Sequence, residues 1–154
     1  MTDKDQNTLI LDTTQGEVVI EMRPDLAPGH VARIKELVRD GFYDGIVFHR
    51  VIDGFVAQTG CPHGTGTGGS GQKLKAEFNR EPHVRGTVSM ARAQSPDSGD
   101  SQFFICFDDA RFLDGKYTVW GKVTYGMENI DKIKRGEPVS DPDKIVKAHM
   151  KDAA

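Results

Sequence analysis

Apolar and polar positions alternate with a period of two near both ends of the chain and shift to a helical period twice in between. Thr8 to Thr13 and Glu17 to Arg23 are strand-like runs around Thr14-Gln15-Gly16, and in the second Val18, Ile20 and Met22 alternate with Glu17, Val19 and Glu21. They predict an opening hairpin. Beyond Pro24, Val31, Ile34, Leu37 and Val38 fall at helical spacing, Pro28 suits a first turn and Gly41 suits the residue just past the end. This predicts one amphipathic helix with Arg33, Lys35, Glu36 and Arg39 toward water. Gly86 to Ala91, the aromatic run Ser101 to Phe107, Tyr117 to Val123 and Asp143 to Met150 read as further strands. From Gly126 through Arg135, Met127, Ile130 and Ile133 space a second helix that Gly136 ends. Seven or eight short strands with two helices predict a mainly β fold, either a closed antiparallel barrel or a sandwich.

The stretch from Phe48 to Gln58 differs from the rest. Phe48-His49-Arg50-Val51-Ile52 and Phe55-Val56-Ala57-Gln58 flank an Asp53-Gly54 turn signal, offering one fixed cation, one amide and several apolar side chains to one neighbourhood. That set suits gripping a peptide. A plain two-residue hairpin would pair Arg50 with Ala57 and send Arg50 and Gln58 to opposite faces. Their convergence therefore predicts an irregular turn or bulge between Asp53 and Val56. Further on, Gly64, Gly66 and Gly69 match G-x-G-x-x-G, but Gln72 to Phe78 is a poor helix and no Gly-Lys-Ser/Thr ending follows. A glycine loop with positive φ angles is a better reading than a phosphate cradle.

Composition narrows the classes. The 154 residues suffice for one hydrophobic core and show no break marking a second, so 1–154 reads as a single domain with 1–7 as a flexible tail. A formal charge of -3 leaves no basic field for nucleic acid. Met1 to Asn7 lacks signal-peptide character and no run approaches the roughly 20 apolar residues of a membrane span, which makes a cytoplasmic location the expectation. Cys61 and Cys106 are too few for a disulfide framework, and Cys61 with His63 alone is a weak metal pair. No metal or cofactor is expected.

Five blocks in order carry a specific likeness: Phe48-His49-Arg50-Val51-Ile52-x-Gly54-Phe55-x-x-Gln58-x-Gly60, Gly64-Thr65-Gly66-x-Gly68-Gly69, Ser89-Met90-Ala91, Ser101-Gln102-Phe103-Phe104-Ile105 and Phe112-Leu113-Asp114-Gly115. From about Thr8 to Met150 the chain resembles the cyclophilins, the cyclosporin-binding peptidyl-prolyl cis-trans isomerases, and looks more bacterial than animal. The resemblance implies an eight-stranded antiparallel barrel capped at each end by a helix. It makes Arg50 the catalytic arginine, with Phe55, Phe104 and Leu113 forming the proline pocket. Gln58 and Gln102 become the groups that orient substrate and arginine, Ala91 and Arg92 the place where the backbone before the proline binds, and His49 a site-adjacent histidine.

Departures from the family pattern bear on binding. Val56 replaces a common methionine, Arg92 an asparagine, Phe112 a tryptophan and Tyr117 a histidine at the rim. Loss of the indole removes a hydrogen-bond donor, so the resemblance implies cyclosporin A binding with reduced affinity. The implied partners are proline-containing peptides and unfolded or folding proteins, met by a monomer.

Each residue alone has a plainer reading. A strand arginine is mostly solvated or paired. Strict alternation sends Gln102 and Phe104 to one side and Phe103 to the other, and Phe103 and Trp120 read as core. His30, His63, His83 and His149 read as surface histidines. Two classes remain: an isomerase assisting folding, or a proline-peptide-binding chaperone module using the same groove without turnover. A hydrolase lacks support, since no Gly-x-Ser-x-Gly elbow is present.

Overall fold

In the computed structural model, which describes residues 6–151, the opening hairpin joins β1 (Thr8–Thr13) to β2 (Gly16–Met22) in the register Leu11 opposite Val18. Of the expected flexible tail, residues 1–5 lie outside the described residues. Asn7 is tied down, however: its carbonyl accepts the Met22 N–H at 2.7 Å and its side-chain oxygen accepts Lys35 Nζ at 2.7 Å. Helix α1 (Pro28–Arg39) buries Val31, Ile34, Leu37 and Val38 as its spacing predicts. Its first turn has no capping side chain of its own. Glu77 supplies one from outside, accepting the N–H groups of Gly29 and His30 at 3.1 and 2.8 Å.

The remaining strands are β3 (Arg50–Ile52), β4 (Val56–Thr59), β5 (Thr87–Met90), β6 (Phe103–Cys106), β7 (Val119–Tyr125) and β8 (Ile145–Met150). With β1 and β2 they form one antiparallel sheet in the order β3-β4-β6-β5-β7-β2-β1-β8. The expected closed barrel is corrected: β3 and β8 are edges, and the sheet is a curved half-barrel. β3 is only three residues long, and its outer edge is already taken, Val51 exchanging two 2.8 Å bonds with Gly136. Across the gap a few loop bonds replace a ladder, Phe48 N–H to the Asp143 carbonyl and Ile145 N–H to the Ile46 carbonyl, each 2.8 Å.

The second helix is shorter than its spacing predicts, α2 covering Met127–Ile130 alone. The Ile133 N–H bonds back three residues to Ile130, tightening the turn, and the Lys134 N–H leaves for the Asp143 carboxylate. Ile133 is nevertheless buried. The main core gathers the inward residues of the sheet, including Leu9, Leu11, Val18 and Ile20, beneath α1. At its centre Phe103 meets Trp120 and Tyr43 edge-on, with ring centroids 5.3 and 5.6 Å apart.

Candidate active site

The β3–β4 hairpin settles the facing of Arg50. The register pairs Arg50 with Gln58, Val51 with Ala57 and Ile52 with Val56, so three residues, Asp53, Gly54 and Phe55, form the loop. The Phe55 N–H closes it on the Ile52 carbonyl at 3.0 Å, and Gly54 sits at φ +72°, where a side chain is strained. The extra loop residue is the predicted irregularity. It places Arg50 and Gln58 directly opposite one another on the same face.

From this face a polar relay runs inward. Arg50 Nη1 donates to Gln58 Oε1 at 3.2 Å, Gln58 Nε2 donates to Gln102 Oε1 at 3.0 Å, and Gln102 Nε2 donates to the carbonyls of Gly66 and Gly68, both at 2.9 Å. On its other edge Arg50 Nε donates to Glu137 at 2.9 Å. The guanidinium is thus held at two points, and among the described residues Nη2 has no protein partner. Gly60 lets the relay form. A Cβ there would strike the Ser101 carbonyl, so only glycine lets the chain leaving β4 pass this close to the segment that leads through Gln102 into β6. The glycine loop is no phosphate cradle, because no helix follows it. Its Gly66 and Gly68 N–H groups donate to Cys61 Sγ, each at 3.3 Å. Burial pushes that thiol up, but loop N–H groups, Gly68 foremost, bring it down to about 6.

Beside the arginine lies an apolar floor. Phe104 and Val56 are buried in a second, smaller cluster, against which Phe55, Ala91, Leu113 and Tyr117 pack half-exposed. Tyr117 meets Phe104 edge-on at 5.7 Å, and Leu113 comes from a single 3-10 turn, Arg111–Leu113. Phe112 is exposed on the rim, stacked on Phe55 at 5.6 Å.

Histidine 83 underlies the floor, correcting its reading as a surface residue. Its ring stacks 6.1 Å from Phe104, its backbone N–H and Nδ1 bond Asp114 at 2.7 and 3.0 Å, and Nε2 bonds Ser89 at 2.9 Å. Burial holds this ring's pKa below the ordinary histidine value against the pull of Asp114. Burial raises Asp114 in turn, yet hydrogen bonds from Arg111 and His83 outweigh it and leave the carboxyl at about 2. His30 is likewise buried, bonded to Glu77 at 2.6 Å. A polar residue between Pro82 and Val84 with no periodic partner carries no burial signal, which is why His83 escapes a sequence reading.

Arginine and floor share one cavity of about 590 Å³. Arg50, Gln58, His49, Val56, Ala91 and Arg92 line it together with Phe55, Phe104, Leu113 and Tyr117. Of the other expected site residues, Phe112 touches it only through Phe55, and Gln102 lines an adjoining cavity. His49 is buried, with Nδ1 unpartnered, and burial followed by the charge of Arg50 lowers its pKa. Two residues that no motif pointed to also line the cavity, Glu137 and Pro138. Glu137 lies far along the chain from the arginine it pairs, so only the folded loop reveals it. Among the described residues no group of three or more His, Cys, Asp or Glu could hold a metal. The arrangement can seat a small apolar ring beside a fixed N–H donor.

Residues 8–150 match the family model described as cyclophilin type peptidyl-prolyl cis-trans isomerase/CLD. A probable peptidyl-prolyl cis-trans isomerase of Brucella suis is 56% identical over 160 aligned positions, covering 93% of this chain and 82% of that protein. Among solved structures, a cyclophilin of Hirschia baltica aligns with a TM-score of 0.90 at 34% identity, over 97% of this chain and 76% of its own. A cyclophilin type isomerase of Cryptosporidium parvum, crystallised in the presence of the dipeptide Ala-Pro, aligns with a TM-score of 0.86 at 28% identity, over 93% of this chain and 98% of its own.

Proposed function

The chain belongs to the cyclophilin-type peptidyl-prolyl cis-trans isomerases, and from that premise we propose that Arg50 performs the step by donating a hydrogen bond to the prolyl nitrogen as the Xaa-Pro bond twists. Amide resonance sets a barrier of about 18–20 kcal/mol, and in the twisted state the nitrogen lone pair is localised and free to accept. The reaction needs no nucleophile and no metal. It needs a donor that meets the nitrogen only when the bond is twisted, because only such differential stabilisation speeds the step, about tenfold for each 1.36 kcal/mol. A guanidinium clamped by Gln58 and Glu137 suits that role: it is permanently charged, and its orientation is set before substrate arrives.

Phe55, Phe104 and Leu113 hold the proline ring, while Gln58 and the backbone beside Ala91 and Arg92 hold the preceding carbonyl, so that one side of the bond is fixed while the other turns. His49, Val56, Tyr117 and Phe112 complete the wall and rim, and Gln102 keeps Gln58 aimed. The observation that carries this reading is the pairing of Arg50 with Gln58 over an apolar floor in one cavity. Replacement of Arg50 by alanine in a prolyl-peptide isomerisation assay tests it, and unchanged activity would falsify the assignment.

The substrates on this reading are proline-containing segments of folding proteins. Cyclosporin A binds weakly, since the exposed phenyl ring of Phe112 offers no donor. The protein acts as a single-domain monomer in the cytoplasm, apart from nucleic acid and membranes; gel filtration and cell fractionation check those two expectations. No helix among the described residues is long and apolar enough to cross a membrane.

A further inference from the structure

A second cavity of about 300 Å³ adjoins the first, lined by the glycine loop and by Ala91, Arg92 and Ala93. Gln58, Gly66, Ala91 and Arg92 border both, so an extended peptide seated on the apolar floor passes Ala91 and Arg92 into the second cavity. Each is lined by two cations and one carboxylate, with Arg92 shared between them. In the first, the cation Arg50 is matched by Glu137 at 2.9 Å. The second holds Arg92, Lys73 and one carboxylate, Asp100.

That carboxylate is already engaged. Its Oδ1 accepts the backbone N–H and hydroxyl of Ser70, and its Oδ2 accepts the Gly71 N–H at 3.0 Å. Arg92 is fixed but not neutralised. Its Nε and Nη2 donate to the Lys116 carbonyl at 3.0 and 2.8 Å, its Nη1 donates to the carbonyls of Ala93 and Gln94, and its guanidinium carbon lies 4.6 Å over the Tyr117 ring. All of these acceptors are uncharged. Lys73 is exposed and has no ion-pair partner among the described residues.

We propose that this cavity is a subsite for an acidic side chain, that of the Asp or Glu immediately before the Xaa-Pro pair of a substrate. The inference rests on the reading above, in which Ala91 and Arg92 bind the chain preceding the proline. A rigid guanidinium costs little ordering entropy on binding, and a free ammonium beside it adds reach. The preference is local, since the chain as a whole carries a formal charge of -3 and repels acidic peptides at long range.

The test compares blocked peptides Glu-Ala-Pro-Phe, Gln-Ala-Pro-Phe, Lys-Ala-Pro-Phe and Ala-Ala-Pro-Glu by NMR exchange for isomerisation and by amide shift titration for affinity. Glu-Ala-Pro-Phe is expected to exceed its Gln counterpart in kcat/KM by about fivefold at low salt, with the Lys peptide lowest and the gap closing as salt is added. Lys73→Glu abolishes or reverses the Glu preference. Equal rates for the Glu and Gln peptides, or a preference that survives Lys73→Glu, overturns the proposal, as does a preference confined to Ala-Ala-Pro-Glu. Should Arg50→Ala leave isomerisation unchanged, the catalytic assignment fails alone, because the affinity ratio of the Glu and Gln peptides still decides the subsite.

Discussion

Phe103 and Phe104 are neighbours on β6, and the pleat sends one into each of two clusters that do different things. Phe103 is enclosed by Trp120 and Tyr43 in the main core. Phe104 is buried nearly as well, yet it packs in a small cluster whose outer members, Phe55, Leu113 and Tyr117, are left half-exposed around a cavity. The main core is satisfied by its own chain. The smaller cluster leaves an apolar surface open to that cavity, and the arginine beside it is held by Gln58 and Glu137, with Gln102 holding Gln58 in turn. Burial alone does not separate structural from functional aromatics; what lies on the far side of the ring does.

Four substitutions or conditions break or sharpen that contrast. Phe103→Ala opens a void in a closed core and should cost about 3–5 kcal/mol of unfolding free energy, read by urea denaturation, with little change in KM for the molecules that remain folded. Phe104→Ala should show the reverse emphasis. Its kcat/KM falls about tenfold to a hundredfold, the ~1–3 kcal/mol associated with altering a hydrophobic pocket, while the urea midpoint moves less than for Phe103→Ala. A loss of stability equal in the two variants would erase the distinction.

Gln102→Leu keeps the shape but cuts the relay between the glycine loop and Gln58. At about 1 kcal/mol for one hydrogen bond, kcat should fall about fivefold with KM nearly constant. The smallest effect is one of pH. Burial lowers the pKa of His30, His49 and His83 in the folded state, so below about 6.5 the unfolded chain takes up protons that these rings refuse. Their contribution to stability is therefore whole above that pH and is lost as pH falls toward the folded-state values. The melting temperature should drop between pH 7 and pH 5, and less steeply in a His83→Gln variant; a rise on acidification would contradict the burial argument.

Much of this was legible from the chain because the relevant patterns are local. The hairpin β1–β2, helix α1 and the opposite facing of Phe103 and Phe104 follow from periodicity, and the irregular loop at Asp53 to Phe55 follows from requiring Arg50 and Gln58 to meet. Closure of the sheet was not legible, because it depends on whether the short β3 pairs with β8 or with the loop at Gly136. The end of α2 was hidden for a similar reason, a distant carboxylate, Asp143, competing for the Lys134 N–H. Partners such as Glu137 for Arg50 and Asp114 for His83 are long-range pairings of ordinary polar residues, and no spacing rule announces them.

The account turns on whether the guanidinium acts during the twist or merely in binding. NMR exchange spectroscopy of a saturating Xaa-Pro peptide, comparing wild type with Arg50→Gln, separates the two by reporting interconversion on the protein itself. The prediction is a bound-state exchange rate at least about tenfold slower in the variant, with peptide affinity within about twofold. An unchanged bound-state rate accompanied by weakened affinity would contradict it.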